Sequence, residues 1–335
     1  MPAPPSRRMS VVNASNLCDY MNMETSMNEQ SEPSPKSGRV ANPLFADRRA
    51  FLAGLGAAGA LHMIASPAAW AVPSTPLELK ALERRHGGRL GVCAQDDSRR
   101  VAWRSDERFA YCSTFKLFLA AGTLERVQRG QERLERAIPI LKSDMLEYAP
   151  TTQKAVGGTL TVEQLCKAAV ELSDNPAANI LIREMGGLDA WRSWYRAIGD
   201  SVTRVDRNEP ELNTAIADDP RDTTTPAQTV ANLDKVLLGS LLSPAHRSLL
   251  EGWLVNTPTG PGRIKAGVPA GFRVAHKTGT GAKASYNDVG VVWPSKGSPI
   301  LIAVYFTGAL DASPAQIDAV VAEATRASLR ALGHG

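Results

Sequence analysis

Residues 112–116 read Cys-Ser-Thr-Phe-Lys and place a hydroxyl and an amine three positions apart, at Ser113 and Lys116. An alanine-rich apolar run follows that is too long for a strand, so residues 113–129 are predicted to form a buried helix. Residues three apart share one face of a helix, which directs the Ser113 hydroxyl toward the Lys116 amine. A serine is a poor nucleophile without a base beside it, and the free N–H groups of a first helical turn favour negative charge. The stretch therefore predicts an activated serine at the start of a buried helix.

The hydrophobic pattern on either side of this helix places strands near both chain ends and helices between them. The predicted helices are 77–85, 113–129, 131–141, 161–171, 176–185, 188–198, 226–239, 244–254 and 314–332, and the predicted strands are 89–94, 101–104, 271–277, 286–293 and 300–307. This order favours a sheet domain made from residues 72–105 and 256–335, with an all-helical domain at 106–255 inserted into it. A small-molecule site is expected in the cleft between the two domains.

Length and composition limit the class of protein. The chain has 335 residues, of which 43% are hydrophobic and 21% charged, enough for one large or two medium domains with a proper core. Disordered and fibrous classes are excluded. The net charge of +4 is spread along the chain without a long basic run, so no nucleic-acid partner is predicted.

Residues 1–71 are predicted to be a leader that ends in an export signal. Residues 1–47 are polar and lack hydrophobic periodicity. The arginines at 48–49 then precede a Gly/Ala-rich apolar run and an Ala-Trp-Ala site at 69–71, which is typical of a twin-arginine signal. A membrane span is the alternative, but the run falls short of about 18 strongly apolar residues. We expect export to the periplasm, cleavage near Ala71 and no stable membrane association afterwards.

Three of the four cysteines, Cys93, Cys112 and Cys166, lie beyond the leader. An odd number in an exported domain does not form a disulfide framework, and their spacing does not match a zinc site. The five histidines form no cluster in the sequence. The cysteines are expected to be small buried hydrophobic residues, and neither a metal nor a cofactor is predicted.

Two further short motifs carry serine and lysine. Residues 173–175 read Ser-Asp-Asn in a break between helices, and residues 277–279 read Lys-Thr-Gly at the end of a predicted strand. Each alone is ordinary turn chemistry. Together with Ser113-x-x-Lys116, and in this order, they resemble the penicillin-recognising serine acyltransferases, which include class A β-lactamases and penicillin-binding proteins. The resemblance covers residues 76–335 and implies an α/β (α+β) fold with an antiparallel sheet.

The segment at about 204–222 resembles the omega loop of class A β-lactamases. Glu209 and Asn213 match the residues that hold the deacylating water in that family, and Arg207 and Asp222 match a pair that clamps the loop ends. A carboxylate suits this role because a base must deprotonate the water that attacks the acyl-enzyme ester. The alternative reading is a solvated acidic loop. The resemblance implies a class A serine β-lactamase.

The resemblance also implies a role for each remaining position of the site. Ser113 would attack the lactam carbonyl, and its proton would go either to Lys116 or, through a water, to Glu209. Ser173 would pass a proton to the leaving nitrogen. The backbone N–H groups of Ser113 and Thr280 would form the oxyanion hole. The residues expected to bind substrate are Tyr148, Asn175, Asn213, Arg263, Lys277, Thr278 and Thr280.

The family's disulfides are not expected in this chain. In some relatives a residue matching Cys112 pairs with a cysteine where this chain has Gly281, and one matching Cys166 pairs with a cysteine where it has Ala120. All three thiols of the exported chain are therefore predicted to be free.

Two other functions fit part of the pattern. A peptidoglycan DD-peptidase shares the three motifs but lacks the loop with Glu209, and a β-lactam sensor would need a membrane span and no deacylating base. The expected partner is a small-molecule β-lactam such as a penicillin or cephalosporin, bound by a monomer. The motifs do not distinguish penicillinases from extended-spectrum enzymes or carbapenemases.

Overall fold

A five-stranded sheet takes its strands from both ends of the chain. The computed structural model describes residues 75–334. The strands are β1 (Arg89–Gln95), β2 (Arg100–Trp103), β7 (Arg273–Gly281), β8 (Ser285–Trp293) and β9 (Ile300–Thr307). They run in the order β2-β1-β9-β8-β7, and every neighbouring pair is antiparallel. The expected antiparallel sheet and its origin in both chain ends are confirmed.

Both faces of this sheet are buried. Successive side chains of a strand point to opposite faces, so Leu90 and Val92 of β1 join one hydrophobic cluster and Cys93 joins another. The first cluster also contains Leu79 of α1 (Thr75–His86) and Val320 of α9 (Pro314–Ala331). The second contains buried side chains from most of the other helices. Burial on both faces explains why β9 is almost entirely apolar.

Helix α2 (Phe115–Gln128) lies at the centre of the second cluster. Its first eleven residues are all buried, which explains why its sequence lacks a polar stripe. It contacts α3 (Val162–Glu171), α4 (Asn175–Met185) and α7 (Pro244–Asn256). The remaining helices of the described range are α5 (Gly187–Ala197), α6 (Pro226–Leu233) and the short α8 (Ile264–Gly267). The turn before α2 contacts β7 and β8, so the Ser113-x-x-Lys116 motif lies where the helices meet the sheet.

The prediction of a helix at 131–141 is wrong. This segment contains β4 (Ala137–Pro139), which pairs antiparallel with β5 (Thr159–Thr161). Ile138 and Ile140 are buried while their neighbours are exposed, which is the two-residue period of a strand. The proline that ends β4 also lacks the N–H that a helix interior requires.

Smaller differences concern element ends. The helix predicted at 226–239 is α-helical only to Leu233, the end of α6, and continues as a π-helical turn, Asp234–Leu238. The helix predicted to start at 113 begins instead with a 3-10 turn, Cys112–Thr114. An unpredicted two-residue pairing joins β3 (Phe109–Ala110) to β6 (Thr223–Thr224). The segment that leads into the Ser113 turn is therefore hydrogen-bonded to the segment that follows the omega loop.

The predicted leader and twin-arginine signal, residues 1–71, lie outside the described residues. The described residues belong to one compact unit, and a division of it at residues 105 and 255 stays a prediction. Within residues 75–334 no helix is both long and apolar enough to cross a membrane.

Candidate active site

Ser113 lies in the 3-10 turn that leads directly into α2. Asn287 on β8 holds this turn, because its Nδ2 donates to the carbonyls of the two residues before the turn, at 2.9 and 3.2 Å. Gly279 on β7 lies so close that a Cβ there would meet one of these carbonyl oxygens at 2.8 Å. The predicted nucleophile Ser113 is thus fixed between α2 and the end of β7, and Asn287, which belongs to no sequence motif, helps to fix it.

Lys116 connects the predicted catalytic groups. Its Nζ lies 3.1 Å from Ser113 Oγ and 2.8 Å from Glu209 Oε1. It also donates to the Ser173 carbonyl at 2.8 Å and to Asn175 Oδ1 at 2.5 Å. The Lys116 and Glu209 side chains are both completely buried. Each is therefore the other's counter-charge, and removal of either would leave an uncompensated buried charge.

The Glu209 carboxylate faces the Ser113 hydroxyl. Its Oε1 lies 3.4 Å from Ser113 Oγ, and its Oε2 accepts a short hydrogen bond from Asn213 Nδ2. Asn213 Oδ1 is buried and has no hydrogen-bond partner within the described range. Asn213 therefore offers an unused acceptor beside the carboxylate.

Asn179 on α4 fixes the backbone of Glu209. Its Oδ1 accepts from the Glu209 N–H at 3.0 Å, and its Nδ2 donates to the Glu209 carbonyl at 2.8 Å. Asn179 belongs to none of the motifs that predict the site. Its spacing of four residues from Asn175 was a usable signal, because residues four apart share a helix face.

The segment Ser173-Asp174-Asn175 is anchored by its central carboxylate. Asp174 is fully buried and caps α4. It accepts hydrogen bonds of 2.8–3.0 Å from the N–H groups of Thr151, Thr152 and Ala177 and from the Thr152 hydroxyl. The Asn175 N–H donates to the Tyr148 carbonyl at 3.2 Å, and the Tyr148 side chain is half-buried, which raises its pKa. The predicted entrance tyrosine therefore lies beside the predicted amide-binding asparagine.

Lys277 brings the third motif to the same place. Its Nζ donates to Ser173 Oγ at 3.1 Å and to the Thr278 carbonyl at 2.9 Å. Complete burial, followed by repulsion from Lys116, lowers the pKa of Lys277 well below its ordinary value, and the Asp288 carboxylate opposes this shift. Two buried amines, those of Lys277 and Lys116, therefore lie within 3.5 Å of the Ser173 hydroxyl oxygen.

Arg263 lies behind the end of β7 and is 6% exposed. Its Nη2 donates to Thr280 Oγ1 at 2.8 Å, and its Nη1 donates to the carbonyls of Gly279 and Asn287, each at 2.9 Å. Its Nε is paired with Asp318 at 2.7 Å. The structure thus places Arg263 against Thr280, another predicted substrate ligand, and identifies Asp318 as an unpredicted partner.

The clamp at the ends of the omega loop is present. Arg207 Nε lies 2.6 Å from Asp222 Oδ2, and Asp222 is completely buried. Asp222 Oδ1 accepts from the N–H groups of Asp206 and Arg207, at 2.8 and 3.0 Å, and from the Tyr111 hydroxyl at 3.2 Å. Since Tyr111 directly precedes the nucleophile turn, the clamp also joins the loop to that turn.

The three thiols of the described chain are free and buried, as predicted. Burial raises the pKa of Cys112 and of Cys166 to about 12. A Cβ at Gly281 would lie 2.6 Å from Cys112 Sγ, which shows why a cysteine at that position could pair with it. No group of three His, Cys, Asp or Glu side chains within residues 75–334 is arranged to hold a metal ion.

Comparison with known proteins agrees with this architecture. Residues 77–332 match the Beta-lactamase enzyme family. Beta-lactamase CTX-M-8 of Citrobacter amalonaticus is 44% identical over 232 residues, 69% of this chain and 80% of the relative. Beta-lactamase L2 of Stenotrophomonas maltophilia is 40% identical over 302 residues, 85% of this chain and 99% of the relative. Among solved structures, the class A beta-lactamase of the last common ancestor of Gram-negative bacteria is 49% identical, with a TM-score of 0.75, and the match covers 77% of this chain and 99% of that one.

The chain belongs to the beta-lactamase enzyme family, whose model spans nearly all of its described residues. Its similar relatives and structural neighbours are β-lactamases, and the neighbours are of class A. It is a class A serine β-lactamase, which hydrolyses β-lactams and thereby gives resistance to these antibiotics. The matches favour this function over the DD-peptidase considered from the sequence.

Proposed function

We propose that hydrolysis proceeds through an acyl-enzyme on Ser113. The observation that carries this proposal is the position of Lys116 Nζ, 3.1 Å from Ser113 Oγ and 2.8 Å from Glu209 Oε1. The Ser113 proton can pass to Lys116 once that amine has given a proton to Glu209 Oε1, 2.8 Å away, or it can pass through a water to the ionised Glu209. Ser113 Oγ then bonds to the lactam carbonyl carbon. The backbone N–H groups of Ser113 and Thr280 receive the oxyanion, where one donor is typically worth about 3 kcal/mol of barrier.

Ser173 supplies the proton for ring opening. When the tetrahedral intermediate collapses, the C–N bond breaks and the leaving nitrogen takes the proton of Ser173 Oγ. That oxygen lies 3.1 Å from Lys277 Nζ and 3.5 Å from Lys116 Nζ, so either amine can return a proton to it.

Glu209 and Asn213 carry out deacylation. Glu209 takes a proton from a water whose oxygen bonds to the ester carbonyl carbon, and the proton then returns to Ser113 as the ester bond breaks. The unused Asn213 Oδ1 and the adjacent Glu209 carboxylate supply two acceptors for that water. Asn179 keeps the carboxylate in place through the Glu209 backbone.

The substrate is a penicillin or cephalosporin bound between the Ser-Asp-Asn segment and β7. Lys277, Thr278, Thr280 and Arg263 receive its carboxylate, Asn175 holds its side-chain amide and Tyr148 packs on its rings. The proposal rests on the polar groups that these residues place around Ser113 and on the amide-binding asparagine next to a half-buried tyrosine. The enzyme acts as a monomer and needs no cofactor.

Covalent capture tests this assignment in the unmodified enzyme. Acid quenching during turnover of benzylpenicillin, followed by proteolysis and mass spectrometry, should place one penicilloyl group on the peptide that contains Ser113. The expected position follows from the nucleophile's contact with Lys116. An adduct on any other residue would contradict the proposal.

We also propose that the enzyme is exported by the twin-arginine route and works in the periplasm. The support is the arginine pair at 48–49, the apolar run after it and the Ala-Trp-Ala site at 69–71. N-terminal sequencing of periplasmic enzyme should start at or within a few residues of Val72. Changing both arginines to lysine should keep the precursor in the cytoplasm, and continued export of that variant would count against this route.

A further inference from the structure

A fully buried pair, His276 and Asp288, lies beside the residues proposed to bind the substrate carboxylate. His276 directly precedes Lys277 on β7, and Asp288 is opposite Thr278 on β8. His276 Nδ1 lies 2.8 Å from each Asp288 carboxylate oxygen, and both side chains are 0% exposed. Neither residue belongs to a motif used above. A buried carboxylate is costly unless it is well paired, so its place here calls for an explanation.

Asp288 fixes three segments of the site to one another. It lies on β8 and contacts His276 on β7, and its Oδ2 accepts the N–H of Ile264 at 3.0 Å. Ile264 directly follows Arg263, whose Nη2 contacts Thr280. Hydrogen bonds to the Asp288 side chain therefore hold both segments that carry the proposed carboxylate ligands: β7, with Lys277, Thr278 and Thr280, and the segment of Arg263.

The proton arrangement leaves a negative charge on Asp288. His276 Nε2 is buried and has no hydrogen-bond partner among residues 75–334. A proton on Nδ1 serves the bond to Asp288, whereas a second proton on Nε2 would bury an unpaired donor. We therefore assign His276 as the neutral tautomer that donates from Nδ1, with Asp288 ionised.

That charge acts on Lys277. Burial and the nearby Lys116 both lower the pKa of the Lys277 ammonium, and Asp288 makes the largest contribution in the opposite direction. An ammonium binds a substrate carboxylate far better than a neutral amine does. The charge of Asp288 thus favours the form of Lys277 that substrate binding needs.

We propose that Asp288, oriented by His276, is a positioning residue for recognition of the substrate carboxylate. This rests on the proposed roles of Lys277 and Thr278. Asp288 holds β7 through its contact with His276, the residue directly before Lys277, and supplies the negative charge that Lys277 requires. Its loss should slow acylation by substrates that bear the carboxylate and leave deacylation, which depends on Glu209, nearly unchanged.

Benzylpenicillin and its methyl ester, which lacks the carboxylate, distinguish this role from a general structural one. Acylation is measured by quenched flow and intact-mass spectrometry in the Glu209→Ala background, where the acyl-enzyme accumulates. Asp288→Asn, which keeps size and shape, should lower the second-order acylation constant for the acid by about 10-fold to 100-fold, typical for loss of a group that orients others. The constant for the ester should change by less than about two-fold. Equal losses for acid and ester, or no loss for either, would overturn the proposal.

Variants of His276 provide an independent measurement. The acid-to-ester ratio is the acylation constant for benzylpenicillin divided by that for its methyl ester. His276→Asn keeps an N–H donor near the position of Nδ1 and should keep this ratio. His276→Phe has no such donor and should lower the ratio, as Asp288→Asn does. The exposed Asp311 is the charge control, and Asp311→Asn should leave the ratio unchanged; a fall in that control would overturn the proposal. Failure of Glu209→Ala alone to form an acyl-enzyme would refute the proposed function. Acylation with an unchanged ratio in both Asp288→Asn and His276→Phe would refute only this inference.

Discussion

Replacing Glu209 by alanine will produce an enzyme that takes up about one equivalent of benzylpenicillin and then stops. Acylation and deacylation have separate barriers. Without Glu209 the buried Lys116 has lost its counter-charge, which favours the neutral amine that can take the proton of Ser113 Oγ, 3.1 Å away. The base for the second step is lost, so turnover should fall by at least the roughly 10²–10⁴-fold that general-base catalysis supplies. Intact-mass spectrometry should show a stable species heavier by one substrate molecule.

Two variants control this experiment. Ser113→Ala should form no adduct, because the nucleophile is gone. Glu211→Ala removes an exposed carboxylate from the same loop and should hydrolyse benzylpenicillin at the parent rate. If Glu209→Ala itself hydrolysed at the parent rate without a mass shift, the deacylating base would have to be another residue.

The fold could be predicted where the local pattern and the tertiary environment agree. The buried β9 is a continuous apolar run, and α9 carries an apolar stripe that begins at a serine cap, so both were found within about a residue of their ends. The segment 131–141 was misjudged because its polar residues suit a helix. The alternate burial of Ile138 and Ile140, which depends on contacts elsewhere in the chain, shows that it is extended. Pro139 is the one signal in the sequence itself against a helix there.

The site could be predicted to the extent that its residues lie in motifs. Ser113, Lys116, Ser173 and Glu209 are brought together as the motif order implied. The residues that were missed act over long sequence distances, which local patterns do not report. Asn287, for example, holds backbone carbonyls 176 and 177 residues away, and only the packing of β8 against the turn before α2 reveals that contact.

For Arg263, likewise, the sequence predicts a role but not the contacts. Sequence similarity assigned it to the substrate carboxylate, but the structure shows how many of its donors are already used. Its Nε is bonded to Asp318 and its Nη1 to two strand carbonyls, which leaves Nη2 shared with Thr280. Arg263 therefore fixes Thr280, in addition to the carboxylate contact proposed for it.

Asp222→Asn will be strongly destabilising although it changes only one atom of the side chain. The two Asp222 oxygens accept from four donors: Oδ2 from Arg207 Nε, and Oδ1 from the N–H groups of Asp206 and Arg207 and from the Tyr111 hydroxyl. An asparagine has only one acceptor oxygen, so in either orientation its NH₂ group faces at least one donor. Breaking a buried pair costs roughly 3–5 kcal/mol, which for a domain of this size lowers the melting temperature by roughly 6–20 °C.

The functional effect of Asp222→Asn should be selective, because the clamp holds the ends of the loop that carries Glu209. Deacylation should slow more than acylation, and burst kinetics with benzylpenicillin would show this as a larger accumulated acyl-enzyme fraction. Asp219→Asn is the matched control, since Asp219 pairs with the half-exposed Arg221 in the same loop and such surface pairs contribute little. That variant should melt and turn over like the parent. If Asp222→Asn did the same, the buried contacts around Asp222 would not be what holds the loop, and its order would have to come from Asn179 and the Glu209 side-chain contacts alone.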